Sequence, residues 1–283
     1  MNSVPELKVA EARQIIERDT PVRVHTIELG KQGWDNATFI VNRDLVFRFP
    51  KYDEVQTRQE IWVVQALGGQ TTLPIPNIEY TGDNPRFMGH CMLPGVQFAE
   101  RWRSFTRDNI ERAQDQLVEF FVEMHRSLSI ADAIETGGLV ADDRSYQRIR
   151  AARGDDEPMV RLGREILDRQ DLRPVKEVVL HNDLHTENVL VDADRDVVSG
   201  IIDFGDVVYG RPSVDLNYLL EVDLHSGRRL VRRYQHYGGE PQDEQELMDI
   251  YFLTTLEGYL DANLPAADRK DLRRLLDEFV AAV

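Results

Sequence analysis

Between Val178 and Asp206 three short β-type runs follow one another: Val178-Val179-Leu180, Val189-Leu190-Val191 and Val197 to Ile202. Runs this short, rich in β-branched residues and bounded by polar turns, read as strands of one compact segment. Helical periodicity dominates the chain from residue 108 onward, so the segment sits as a β insert among helices. The first run delivers His181-Asn182-Asp183-Leu184-His185-Thr186-Glu187-Asn188. Asp192 to Asp196 reads as a turn, and the return strand ends in Asp203-Phe204-Gly205-Asp206. Such a hairpin places Asp203 beside Asn188, across a tight loop from Asp183. Two acids and an amide thus gather at the ends of adjacent strands.

That cluster suits phosphoryl transfer, a reaction catalysed mainly by positioning and charge neutralisation. A carboxylate must orient the attacking hydroxyl or take its proton, and Asp183 fits that role. Hard oxygen ligands must hold Mg²⁺ against the nucleotide phosphates. Asn188 and Asp203 fit, one neutral and one anionic. The pattern is H-x-D-x-x-x-x-N followed by D-F-G, as in the kinase signature set. A lone D-F-G would say little. Both motifs in order, 15 residues from Asn188 to Asp203 with a hairpin pattern between, outweigh a chance match in a polar hairpin.

The rest of the chain divides around this segment. Pro5 to Arg18 reads as a surface helix, and residues 22–30 as a strand running into a turn. Ala37 to Val41 and Leu45 to Phe49 form a hairpin across Asn42-Arg43-Asp44, closed by Pro50. Val55, Ile61, Val64 and Leu67 take helical spacing over residues 54–67, and Gly68-Gly69 ends that helix. Ile78 to Thr81 and Phe87 to Leu93 are further strands. Leu117, Phe120, Phe121, Met124 and Leu128 then recur on a helix face. Residues 214–220, 227–237, 244–260 and 268–282 are also helical in pattern. The fold class is therefore α+β, cut near residues 93–96: a β-rich unit over 1–93 and a mainly helical one over 94–283.

Composition excludes several functions. Of 283 residues, 34 are basic and 50 acidic, a formal charge of −16. That charge repels phosphate backbones, so no nucleic-acid partner is expected. It suits a cationic small molecule, since acid-lined clefts concentrate cations. One cysteine, Cys91, permits no internal disulfide. No run of 18 apolar residues is present, so no membrane span is expected. With no secretory pattern in Met-Asn-Ser-Val-Pro-Glu-Leu-Lys, a cytoplasmic monomer is the expectation.

The segment His181 to Asn188, with Ile201 to Asp206, resembles the aminoglycoside phosphotransferase family, small-molecule relatives of protein kinases. H-N-D-L-H-x-x-N differs from the H-R-D of protein kinases and is similar to the antibiotic kinases. The resemblance covers nearly the whole chain. Gly33-Trp34-Asp35-Asn36 and Val46-Phe47-Arg48-Phe49-Pro50 are similar to the amino lobe of 2″-type aminoglycoside kinases and of macrolide kinases. Leu73-Pro74-Ile75-Pro76, Leu93-Pro94-Gly95 and the helix ending at Met124-His125 carry it further.

The resemblance implies a bilobal protein-kinase-like fold that transfers phosphate from ATP or GTP. It implies Asp183 as catalytic base and Asn188 and Asp203 as Mg²⁺ ligands. His181 braces the loop, and His185 is placed to approach phosphate or substrate. Arg48 stands where protein kinases carry the phosphate-contacting lysine, and Glu60 is its expected ion-pair partner. The stretch from Gly30 to Gly33 would cover the phosphates, with Asn36 adding a donor. His90, Cys91 and Met92 would form the hinge that meets the base, with Cys91 packed there. Asp215 caps the following helix or pins the catalytic loop.

The acceptor must offer a hydroxyl. Residues 201–283 hold 16 acids and 9 bases, and Asp206, Glu221, Asp223 and Glu257 are the carboxylates expected to meet a cationic aminoglycoside-like acceptor. A macrolide or metabolite kinase of the same fold is the alternative, and a nucleotide-binding pseudokinase the more distant one. No A-P-E segment follows Asp206, which argues against a protein substrate.

Overall fold

The computed structural model describes residues 7–31, 36–52, 54–83, 86–144, 146–152, 158–170 and 175–282. Helix α1 (Val9–Asp19) buries Ala12 and Ile16 in an apolar cluster shared with a five-stranded antiparallel sheet. Its strands are β1 (Ile27–Leu29), β2 (Asn36–Val41), β3 (Leu45–Pro50), β4 (Ile78–Asp83) and β5 (Arg86–Cys91), in the order β1-β2-β3-β5-β4. Asn42 and Arg43, at φ 54° and 72°, make the left-handed turn between β2 and β3. The period of two then sorts β3. Phe47 and Phe49 point into the apolar cluster, while Val46 and Arg48 point to the opposite face, toward the cleft.

The strand expected over residues 22–30 shrinks to Ile27–Leu29. Asn42 is the cause: its Oδ1 accepts from the amides of His25 and Thr26, and its Nδ2 donates to the Arg23 carbonyl. A side chain therefore satisfies backbone that a ladder would otherwise take. The first helix begins at Val9, and Pro5 and Glu6 lie outside the described residues. Helix α2 (Glu54–Leu67) lies between β3 and β4 and covers the span that its periodicity predicts.

Beyond Cys91 the chain pairs with a different sheet. Strand β6 (Val96–Gln97) joins the hairpin of β8 (Val189–Asp192) and β9 (Val197–Ile201) in the order β6-β8-β9. Strand β7 (Val178–Leu180) pairs antiparallel with β10 (Val208–Gly210), a strand that the sequence reading lacks. Around them lie α3 (Phe98–Arg101), α4 (Arg107–Ser127), α5 (Ile130–Glu135), α6 (Gln147–Ala151), α7 (Pro158–Gln170), α8 (Ser213–Leu216), α9 (Gly227–His236), α10 (Glu244–Tyr259) and α11 (Ala266–Ala282). The helix expected over 214–220 is four residues of α8 followed by a 3₁₀ stretch, Asn217–Glu221.

Helix α4 is the spine. Thr106 caps it by accepting from the Asn109 amide. Its inner face buries Leu117, Phe120, Phe121 and Met124 in the large core. Each such side chain contributes about 1.5–3 kcal/mol on leaving water. Among the described residues, no helix is long and apolar enough to cross a membrane.

Candidate active site

Strand β7 ends at Leu180, and the loop that follows is fixed from below by one buried carboxylate. Asp215, with no exposed surface, accepts from the His181 amide at 2.9 Å and the Asn182 amide at 2.8 Å. His125, on α4, donates from Nε2 to the same carboxylate at 2.9 Å, and its Nδ1 accepts from the Tyr234 hydroxyl at 2.7 Å. Asn182 takes φ 68°, and its carbonyl accepts from the Tyr218 hydroxyl at 2.6 Å and from Arg144 at 3.1 Å. Its Nδ2 donates to the Asp206 carbonyl at 2.9 Å. A left-handed residue held by this many partners keeps the loop in one shape.

Asp183 stands next on that loop. Asn188 donates from Nδ2 to the Asp183 carbonyl at 2.8 Å and to its Oδ2 at 3.0 Å. Among the described residues Oδ1 takes no bond. The Asp183 amide points to His181 Nδ1 at 3.4 Å, while His181 Nε2 donates to the Ile202 carbonyl at 3.2 Å. Burial pushes the His181 pKa down, against the pull of nearby Asp215 and Asp183. The ring also packs on Phe204, centroids 4.7 Å apart. His185 Nε2 lies 3.5 Å from Asp183 Oδ2. Burial disfavours the His185 cation, but the bond and charge of Asp183 outweigh it and raise the pKa.

The second centre joins the two sheets. Arg48 donates to Glu60 Oε1 and to Asp203 Oδ1, each at 2.5 Å. Glu60 Oε1 also accepts from the Phe204 amide at 3.3 Å. Burial pushes the Glu60 carboxyl up, to about 7, with Arg48 opposing. Burial likewise works against the Asp203 charge, yet Arg48 wins there and holds that carboxyl below its usual range. Asp203 sits at φ 66°, which turns its carboxylate toward Arg48 at the end of β9.

These oxygens fit a magnesium site. Asn188 commits its Nδ2 to Asp183, so the oxygen end of the amide remains for a cation. Asp203 commits Oδ1 to Arg48 and keeps Oδ2. Mg²⁺ is held by one or two protein oxygens together with waters and substrate phosphates. Among the described residues no cluster of three or more acidic, histidine or cysteine side chains could hold a metal ion.

A cleft of about 610 Å³ contains Asp183, Asn188, Asp203, Asp206, Arg48 and Asn36. Its upper wall carries Ile40 and Val46, its lower wall Leu190 and Ile202. A flat heterocycle fits such an apolar slot. His90 is buried at the edge, its Nδ1 bonded to the Cys91 carbonyl at 2.8 Å, and burial pushes its pKa down. Cys91 is exposed rather than packed, because its thiol turns out to Glu79 at 3.3 Å; that bond raises the thiol pKa. Met92 lines the cleft, but its amide donates to the Asp44 carbonyl at 2.7 Å and is not available to a base. Gly33 lies outside the described residues.

The acids expected to meet an acceptor are differently employed. Glu221 accepts from the Thr186 amide at 3.3 Å and the Thr186 hydroxyl at 3.0 Å, so it braces the loop beside Asp183. Asp223 caps a 3₁₀ turn, Leu224–Ser226, through the His225 amide. Glu257 accepts from the amides of Arg148 and Ile149 at the start of α6, and lines a separate hollow of about 570 Å³ with Tyr218 and Arg144. None of these three lines the main cleft. Asp206 does, and accepts from Gln56 at 3.3 Å. Lys31, in the stretch expected to cover the phosphates, lines the cleft. Sequence reasoning missed Gln97, Arg144 and Tyr218, whose placement comes from loops and crossings without a local pattern.

The sequence matches the phosphotransferase enzyme family over residues 26–250. It is 26% identical to an aminoglycoside 3′-phosphotransferase of Streptomyces fradiae over 195 residues, which is 62% of this chain and 70% of that protein. The fold is similar to the GDP complex of wild-type aminoglycoside 2′-phosphotransferase-IIIa, with TM-score 0.76 and 23% identity over 97% of this chain and 99% of the other. It is also similar to a macrolide 2′-phosphotransferase type I, with TM-score 0.72 and 17% identity over 98% and 99%. The architecture is thus the kinase-like α+β fold of these enzymes. With the family match spanning most of its length, the chain belongs to the phosphotransferase enzyme family and is a phosphotransferase acting on hydroxyl groups.

Proposed function

We propose that the chain transfers the γ-phosphoryl group of ATP or GTP to a hydroxyl of a cationic, aminoglycoside-like small molecule, an activity that confers antibiotic resistance. The observation that carries this reading is Asp183: Oδ2 fixed by Asn188, Oδ1 open, in one cleft with Asp203 and Arg48. Asp183 orients the acceptor hydroxyl and takes its proton. The hydroxyl oxygen bonds to the γ-phosphorus as the bond to the bridging oxygen breaks, and ADP or GDP leaves. Mg²⁺, when held through Asn188 and Asp203, neutralises phosphate charge. Residues 1–93 form the nucleotide-binding lobe and 94–283 the catalytic and acceptor-binding lobe, in a cytoplasmic monomer.

The relatives support an antibiotic acceptor, and the overall charge of −16 supports a cation. One observation favours a macrolide as second reading. Asp223 and Glu257 are committed to backbone amides, which leaves fewer carboxylates for a polycation than for a molecule with one amine. The test is nucleotide consumption, with ATP and GTP in parallel, across aminoglycosides, macrolides and simple amino alcohols. Turnover with aminoglycosides is expected. Turnover confined to macrolides moves the assignment to them, and turnover with no acceptor overturns it.

A further inference from the structure

Three side chains from three parts of the chain meet across the mouth of the cleft. Lys31, after β1, donates from Nζ to Glu187 Oε2 at 2.7 Å and to Gln97 Oε1 at 3.0 Å. Gln97, on β6, donates to the Glu187 carbonyl at 2.7 Å. Glu187 lies between Asp183 and Asn188 on the catalytic loop, its amide donating to His185 Nδ1 at 3.1 Å. All three line the cleft. We propose that Lys31 is a transferable phosphate ligand, held on Glu187 while the donor site is empty and handed to the polyphosphate of a nucleoside triphosphate when one binds. This rests on the reading of the cleft as a donor site.

Charge makes the first argument. Among the described residues lining the cleft, Lys31 and Arg48 are the lysine and arginine, against the acids Asp183, Glu187, Asp203 and Asp206. Arg48 is 13% exposed, with bonds to both Glu60 and Asp203. Of these two, an entering polyphosphate therefore meets Lys31 as the one still able to turn toward it.

Exchange makes the second. The Lys31 and Glu187 side chains are 65% and 51% exposed. An ion pair this open holds weakly and is screened by water. Lysine is a compact charge on a flexible stem, so it changes partner without moving its backbone. Its root stays fixed, because the Gly30 amide donates to the Thr38 carbonyl at 2.9 Å. A polyphosphate offers several negative oxygens where Glu187 offers one carboxylate. The Gln97 bond to the Glu187 carbonyl does not depend on Lys31, so the loop is held when the lysine leaves.

Glu187 is then a competitor of the nucleotide for Lys31, and that gives a signature a plain structural bridge lacks. The experiment is calorimetric titration of the full chain with the non-hydrolysable analogues AMP-PNP and GMP-PNP in the presence of Mg²⁺. Adenosine and guanosine, which have no phosphates, serve as controls. K31M should raise the analogue Kd about tenfold, the scale of one lost charge-assisted bond. E187Q should lower it about two- to fivefold, because the weak competing pair is gone. In the K31M/E187Q double variant the tightening should vanish. Nucleoside binding should not change in any of them. An unchanged Kd in K31M, or an unchanged or weaker affinity in E187Q, overturns the transfer and leaves the donor reading standing. Failure of the wild-type chain to bind either analogue overturns the donor reading itself, and the transfer with it.

Discussion

The loop His181–Asn188 and the helical stretch that follows Asp206 are both rich in carboxylates, and they use them in opposite ways. On the loop, the backbone is held by others: Asp215 takes the amides of His181 and Asn182, and Tyr218 takes the Asn182 carbonyl. Asp183 is thereby left with an oxygen facing the cleft. In the helical stretch the acids do the holding. Glu221 grips Thr186, Asp223 caps a turn and Glu257 caps α6. A carboxylate whose lone pairs already meet backbone amides has less to offer a ligand. Acid count alone therefore does not locate a cation site.

The largest expected effect breaks the first region. Asp183→Ala removes the open oxygen and should lower turnover about a hundredfold or more, the scale of general-base loss. Nucleotide affinity, measured by titration, should stay near the wild-type value, because the hydrogen bonds of Asp183 run to His181 and Asn188 rather than to Arg48 or Glu60. Asp215→Asn attacks the same loop from beneath. An amide cannot accept from two backbone amides and His125 at once, and a fully buried donor is left facing donors. Unfolding in denaturant should show a loss of about 3 kcal/mol. Turnover should fall as well, since Asp183 loses its footing; retained stability would show that the loop does not depend on this pin.

The same contrast explains what the sequence reveals. The hairpin of residues 37–49, helix 54–67 and the motif residues Asp183, Asn188 and Asp203 are legible because local pattern governs them: turn residues, helical period and fixed spacing along one hairpin. Strand β10 is not legible. Three residues, Val208–Gly210, become a strand only because β7 lies alongside. The duties of Glu221 and Glu257 are hidden for the same reason, since their partners lie 35 and 109 residues away. His125 was visible as the end of a patterned helix, but its bond to Asp215, 90 residues on, required the packed core.

Like the buried Asp215, Glu221 belongs to the second region and touches the first. It is exposed, and two bonds to Thr186 leave lone pairs for a cationic nitrogen beside the catalytic loop. Glu221→Gln keeps the shape and removes the charge. The Michaelis constant for an aminoglycoside should rise about tenfold, the nucleotide constant should hold, and added salt should shrink the difference. An unchanged acceptor constant would place Glu221 wholly with the structural acids.

Asp223 gives the smallest effect and the sharpest division between the two roles. Its side chain accepts from the His225 amide at 3.0 Å, at the start of the turn that leads into α9. Asparagine caps about as well as aspartate, whereas alanine cannot accept the bond. If the cap is what Asp223 does, Asp223→Asn should leave both stability and the acceptor Michaelis constant at wild-type values, although it removes a full charge. Asp223→Ala should cost about 1 kcal/mol of stability and still leave the Michaelis constant alone. A charge role would reverse the order: the asparagine variant would raise the constant as much as the alanine one, with stability untouched. Thermal unfolding and acceptor kinetics on the two variants separate these outcomes, because the cap responds to the lost acceptor atom and a cation site to the lost charge.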